Sequence, residues 1–360
     1  MHMQEWHQFL QNSATHHHSL GSNQNVVIQD NKVISFDNPA AERQALIKET
    51  VMCDLSHLGL LQLRGLDALT FLQGQVTNDV KQLSGHNAHY TGYCNPKGRM
   101  LALFLAFLHH DHVHLQMPKE LIESIAKRLK MYVLRSKVDI EDVSGSIVKI
   151  GLNGRNSADL LKSLFSEVPQ NAYELVSLEN GALLKLPGTT PRYEIFTDIA
   201  NAPAIWNALE QHAKPVGAAC WEWLEIQAGI PEITLKTQEE FVPQMLNLDA
   251  LNAINYKKGC YTGQEIVART HYLGKVKRRT QLAHIASTAM PELGDDVFDI
   301  NKQAIGKIVR CAPSIDAGFD VLAECRLENV DLENLEQDSI FWNDIALAIQ
   351  PLPYQLDESQ

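Results

Sequence analysis

The chain has 360 residues, 45% of them hydrophobic, which is enough for two or three cores rather than one. Its 31 Lys and Arg against 43 Asp and Glu leave a net charge of -12, which excludes a general affinity for polyanions and confines any anion site to a local patch. The six cysteines, Cys53, Cys94, Cys220, Cys260, Cys311 and Cys325, form no CxxC pair, and no apolar run exceeds Leu101 to Leu108, so disulfide frameworks, structural zinc and membrane spans are not suggested and a reducing cytoplasm fits best.

Residues 1–45 open on a stretch rich in Gln, Asn, His and Ser, without the charged start and apolar core of a signal peptide, and read as a mobile polar tail and lead-in; His16, His17 and His18 are only a weak metal signal. A strand is predicted over Leu58 to Leu63, then a short helix from Leu66 that Gly74 stops, then a polar loop from Gln75 to Asp79. Tyr90 to Cys94 and Arg99 to Leu108 have strand character, and Asn95-Pro96-Lys97-Gly98 between them suits a type I turn, so a hairpin is expected. A helix follows from Pro118, with Leu121, Ile122, Ile125 and Leu129 on one face. From about Ser146 the order strand, helix, strands, helix matches a ferredoxin-like unit that ends near Gly217. After Lys277 the chain is strand-rich with breakers at Pro291, Gly294, Gly306 and Pro313, the pattern of a small β-barrel or sandwich.

Chemistry concentrates between Tyr256 and Arg269. Thr262 and Glu265 have capping-box spacing, which places Cys260 just ahead of a helix N-terminus, where peptide dipoles together with Lys257 and Lys258 favour a thiolate. The competing reading is an ordinary buried thiol, since free cysteines are among the most buried residues. Seven Lys or Arg fall between positions 257 and 279 with Glu265 as the only acid, a run that can hold a carboxylate-bearing or phosphate-bearing ligand, contact RNA directly, or be a solvated face.

Lys258-Gly259-Cys260-Tyr261-Thr262-Gly263-Gln264-Glu265 resembles the K-G-C-Y-x-G-Q-E signature of the YgfZ-type folate-binding proteins of the wider GcvT family. Gln73 to Asp79, Asn95 to Arg99, Phe241 to Gln244 with Asn247-Leu248, and Pro351 to Tyr354 agree with that family in the same order, so the resemblance covers nearly everything after residue 45. It implies an α+β, three-domain GcvT-like fold around a central opening: a discontinuous folate-binding domain over 46–145 and 216–276, a ferredoxin-like unit over 146–215, and a C-terminal β-barrel over 277–355.

The resemblance further implies tetrahydrofolate or a derivative in the opening, and an accessory role in iron–sulfur cluster assembly or repair that supports tRNA modification by iron–sulfur methylthiolases. Folate and iron–sulfur enzymes or assembly proteins are then the partners, without a stably bound cluster on this chain. It marks Cys260 as a functional thiolate with Lys258 and Asp79 beside it, and Trp221, Gln227, Lys257, Tyr261, Gln264, Glu265 and Arg269 as ligand-binding. Asp79 equally suits a turn-organising role. Trp221 and Trp223 alternate as in a strand, so that one of them, Trp221, faces the ligand. Gln227 stands where many relatives have Glu. An aminomethyltransferase, the enzyme reading of the same wider family, requires a carboxylate just beyond the hairpin turn, where this chain has Met100, Leu101, Ala102 and Leu103.

Overall fold

The computed structural model describes residues 3–16, 26–272, 274–330 and 340–356. A five-stranded antiparallel sheet runs in the order Ala88–Cys94, Met100–His109, His112–Pro118, Leu58–Arg64 and Asp139–Asp142. Its strand Met100–His109 is buried along its first eight residues because both faces are covered, which explains its unbroken apolar sequence. The predicted hairpin forms: the Asn95 carbonyl accepts from Gly98 N at 2.9 Å, and Asn95 Oδ1 accepts from Lys97 N and Arg99 N. Gly98 has φ +70, and a Cβ there would lie 2.9 Å from Ile266, so only glycine lets the helix Gln264–Tyr272 seat on this turn.

The second sheet has six strands in the order Leu175–Leu178, Gly181–Leu186, Arg192–Asp198, Ile147–Asn153, Val51–Asp54 and Lys214–Val216. It extends beyond the 146–215 segment, because Val51–Asp54 pairs antiparallel with Ile147–Asn153 and parallel with Lys214–Val216. The helices Ser157–Leu164 and Ala202–Glu210 share one apolar core with it. The helix Met3–His16 joins that core, so the expectation of a mobile tail is corrected over residues 3–16; His17 and His18 lie outside the described residues. Met3, Trp6 and Leu10 lie on one helical face and are buried, and Trp6 Nε1 donates to Asp54 Oδ1 at 2.8 Å.

The third unit is a closed barrel of Arg278–Ile285, Phe319–Arg326, Ala304–Pro313, Asp296–Phe298, Phe341–Trp342 and Ile345–Gln350, with its own core of Ile285, Val297, Ile308, Val321 and Trp342. The helix Ala218–Gln227 packs against barrel strands and against the strand Val51–Asp54 of the second sheet. Its start is fixed by the buried carboxylate of Glu42, which accepts from Ser35 Oγ, Phe36 N, Asp37 N and Gly217 N. Among the described residues no helix is long and apolar enough to cross a membrane.

Candidate ligand-binding site

Where the three units meet, a narrow hollow is walled by Tyr90, Leu103 and Leu105 of the first sheet, Glu194 of the second, Trp221 and Glu225 of the intervening helix, and Arg310 of the barrel. Trp221 enters because residue 151 is glycine: a Cβ there would stand 2.5 Å from the indole. The tryptophans do not alternate as on a strand; both belong to the helix Ala218–Gln227, with Cys220, Trp221, Leu224, Glu225 and Ile226 all buried.

The hollow is rich in buried charge. Glu194 Oε2 accepts from Gln116 Nε2 at 2.9 Å, and burial, with Glu225 nearby, pushes its carboxyl up to about 7. Arg192 Nη1 lies 3.0 Å from Glu225 Oε1, and the guanidinium stands 5.4 Å from the Trp221 ring centroid. Arg310 pairs with Glu222, donates to the Ile230 carbonyl at 3.0 Å and to Glu232 Oε1 at 3.4 Å. Burial raises Glu232 to about 7 as well.

Some polar atoms here are buried without a hydrogen-bond partner among the described residues: Gln116 Oε1, Trp221 Nε1, and Nε and Nη2 of Arg192, whose Nη1 faces Glu225. Groups of this kind are costly to leave unpaired, and the hollow they surround is where a partner would enter. The set suits a flat ring with donors and acceptors on its edge, which is what a pterin presents: an indole wall, carboxyls for ring N–H groups, and donors for a ring carbonyl.

The signature segment lies elsewhere, against the loops of the first unit, and none of residues 257–269 lines this hollow. Lys258 is not free for chemistry: Nζ donates to the carbonyls of Gln73, Val76 and Asn78 at 2.6, 2.5 and 2.9 Å, so it clamps the Gln73–Asn78 turn. Burial lowers its amine to about 8. Asp79 organises the same turn, accepting from Gln73 Nε2 at 2.9 Å and from Lys81 N at 3.2 Å. Tyr261 is buried under the Lys258 ammonium, 5.0 Å from it. Cys260 is exposed, whereas the other five cysteines are buried.

The helix that follows begins at Gln264, with Gly263 at φ +84 ahead of it rather than a capping Thr262, and Glu265 pairs with Arg269 at 3.3 Å. The basic run is largely committed to partners. Besides Lys258 and Arg269, Arg278 pairs with Glu324 and Arg279 is bidentate to Asp249, which leaves Lys257, Lys275 and Lys277 exposed. Gln227, expected at the ligand, instead donates to Asp320 Oδ2 at 3.2 Å on the barrel, as does Trp223 Nε1 at 2.7 Å. The acids Glu194, Glu225 and Glu232 went unmarked because they are scattered in sequence and only the fold gathers them. The one local hint was an acid set between Tyr193 and Ile195 in a strand, at Glu194.

A family model for the GCVT N-terminal domain matches residues 6–257. The fold is similar to that of the glycine cleavage system aminomethyltransferase T from Bartonella henselae, with a TM-score of 0.75 and 15% identity over 94% of this chain and 96% of that one. The class is therefore a GcvT-like α+β fold with a C-terminal barrel. The sequence is 36% identical over 324 residues to the tRNA-modifying protein YgfZ of Colwellia psychrerythraea (strain 34H), covering 87% of this chain and 95% of that protein. It is 33% identical over 330 residues to the tRNA-modifying protein YgfZ of Enterobacter sp. (strain 638), covering 89% and 99%. Within the GCVT N-terminal domain family, the chain belongs to the YgfZ family.

Proposed function

We propose that the chain is a folate-binding accessory protein of tRNA modification, working in the cytoplasm, which takes tetrahydrofolate or a derivative into the hollow beside Trp221. The observation that carries this reading is the pair of unpartnered buried atoms, Gln116 Oε1 and Trp221 Nε1, at the hollow where the three units meet, with the Arg192–Glu225 ion pair beside the indole. Bound tetrahydrofolate would supply a reduced ring able to carry one-carbon units. Arg192, Glu194 and Gln116 would orient its edge, and Trp221 with Leu103 and Leu105 would keep water from its faces. The relatives' name supports a role in tRNA modification. On that reading the clients are iron–sulfur methylthiolases or the proteins that assemble their clusters, and the exposed Cys260 is the thiol presented to them.

Aminomethyl transfer is the weaker reading. Met100, Leu101, Ala102 and Leu103 are all buried apolar side chains at the place where that chemistry requires a carboxylate.

The test has two arms. Tetrahydrofolate titrated into the wild-type protein should quench tryptophan fluorescence saturably, and Glu194→Gln together with Arg192→Met should weaken binding by about tenfold or more. In cells lacking the native protein, Cys260→Ala should fail to restore iron–sulfur methylthiolase activity. Full rescue removes the thiol from the account, and unsaturable quenching removes the ligand.

A further inference from the structure

We propose that the C-terminal end of the helix Ile122–Val133, with the loop around Asp67 that faces it, is a docking surface for an acidic protein segment that inserts an aliphatic side chain. The surface lies outside the hollow and outside the signature segment.

Three observations carry it. First, positions 127–137 hold Lys127, Arg128, Lys130, Arg135 and Lys137 with no acid, in a chain whose net charge is -12. A helix C-terminus favours cations in its last turn, which accounts for Lys130 but not for Arg135 and Lys137 beyond the end. Second, Leu134 is 87% exposed on a shallow, open hollow that Asp67, Phe71 and Tyr132 also line, and the chain neighbours of those lining residues, Leu66 at 87% and Met131 at 61%, are exposed as well. Aliphatic side chains displayed together beside a concavity, rimmed by charge, are the marks of an interaction site. Third, Leu134 has φ +46 and ψ -103, a conformation that favours glycine. A leucine held there in solvent has no packing to offset the strain, and strain of this kind collects where a side chain is displayed for use.

The surface is also built to stay open. Lys137 N donates to Asp67 Oδ2 at 2.7 Å and Asp67 N to the Lys137 carbonyl, so loop and helix end are tied together without covering the hollow.

The chemistry selects the occupant. Charge complementarity calls for an acidic partner, and the concavity calls for a protruding apolar side chain. Single-stranded nucleic acid is served by aromatic platforms, and here only Tyr132 is aromatic among the exposed large apolar side chains. A short acidic, leucine-bearing helix from another protein satisfies both demands.

The experiment uses the full chain and a labelled helical peptide with leucines on one face and glutamates on the other. Fluorescence anisotropy should show salt-sensitive binding to the wild-type protein. A peptide with serines in place of the leucines should bind about tenfold more weakly or worse. Leu134→Gly keeps the backbone conformation while removing the side chain, and with Leu66→Ser it should weaken the leucine peptide by a similar factor; Lys130→Glu with Arg135→Glu should abolish binding. Circular dichroism confirms that each variant is folded. Equal binding of both peptides, or binding indifferent to Leu134→Gly and Leu66→Ser, overturns the proposal. So does retention of oligouridine RNA or phosphatidylglycerol vesicles in the absence of peptide binding.

Discussion

Arg310, on a barrel strand, forks onto Glu222 of the helix that carries Trp221, and the same guanidinium reaches Glu232. Through Glu225, which also meets Arg192, this links barrel, helix and second sheet across one buried hollow. Removing the cation would strand Glu222 and Glu232 in low dielectric and leave Glu225 to Arg192. Arg310→Met should therefore lower stability by about 3–5 kcal/mol, and Arg310→Lys should recover little because an ammonium cannot serve the fork. Chemical denaturation measures both.

Gln227 reads differently in the fold than in the sequence. Its amide donates to the Asp320 carboxylate, which also receives Trp223 Nε1, Ser314 Oγ and the His284 ring. Replacing it with Glu would set two carboxylates against each other. Gln227→Glu should cost about 1–3 kcal/mol, and adding Asp320→Asn should return part of that loss, a coupling that a double-mutant cycle would expose.

Acid should weaken the fold through its buried histidines. His114 stacks on Phe107 and meets Gln62, and burial, reinforced by His109, pushes its imidazole down to about 3 from the usual 6.5. The unfolded chain therefore binds a proton that the folded chain refuses between these values. Stability is complete above pH 6.5 and falls as pH drops below it, by up to about 1.4 kcal/mol per unit for this residue. His114→Phe should flatten the decline by one proton's worth in pH-dependent urea unfolding.

Cys260 is the exposed thiol among six cysteines, the rest being buried. A disulfide reagent should titrate one fast thiol per native chain, and Cys260→Ala should remove it. Fast reaction of two or more thiols in the native protein would contradict the burial of the others.

Local chemistry made the hairpin at Asn95 to Gly98 legible, because the turn residues carry their own hydrogen bonds. The same holds for the helix face of Ile122, Ile125 and Leu129, whose spacing matches burial. The Trp221 helix was misread because it is buried nearly all round and shows no one-sided stripe. The pairing within the basic run is hidden for a related reason: its partners Asp249 and Glu324 lie outside it in sequence, and pairing across such distances leaves no local trace. Trp221 was found through resemblance, whereas Arg192, Glu194 and Glu232 became a site only when three units closed around them.

The most direct measurement is a crystal structure grown with tetrahydrofolate. The account places the pterin against Trp221, its edge on Glu194, Arg192 and Gln116. Density for the ring beside Cys260 instead, with the hollow filled only by water, would contradict it.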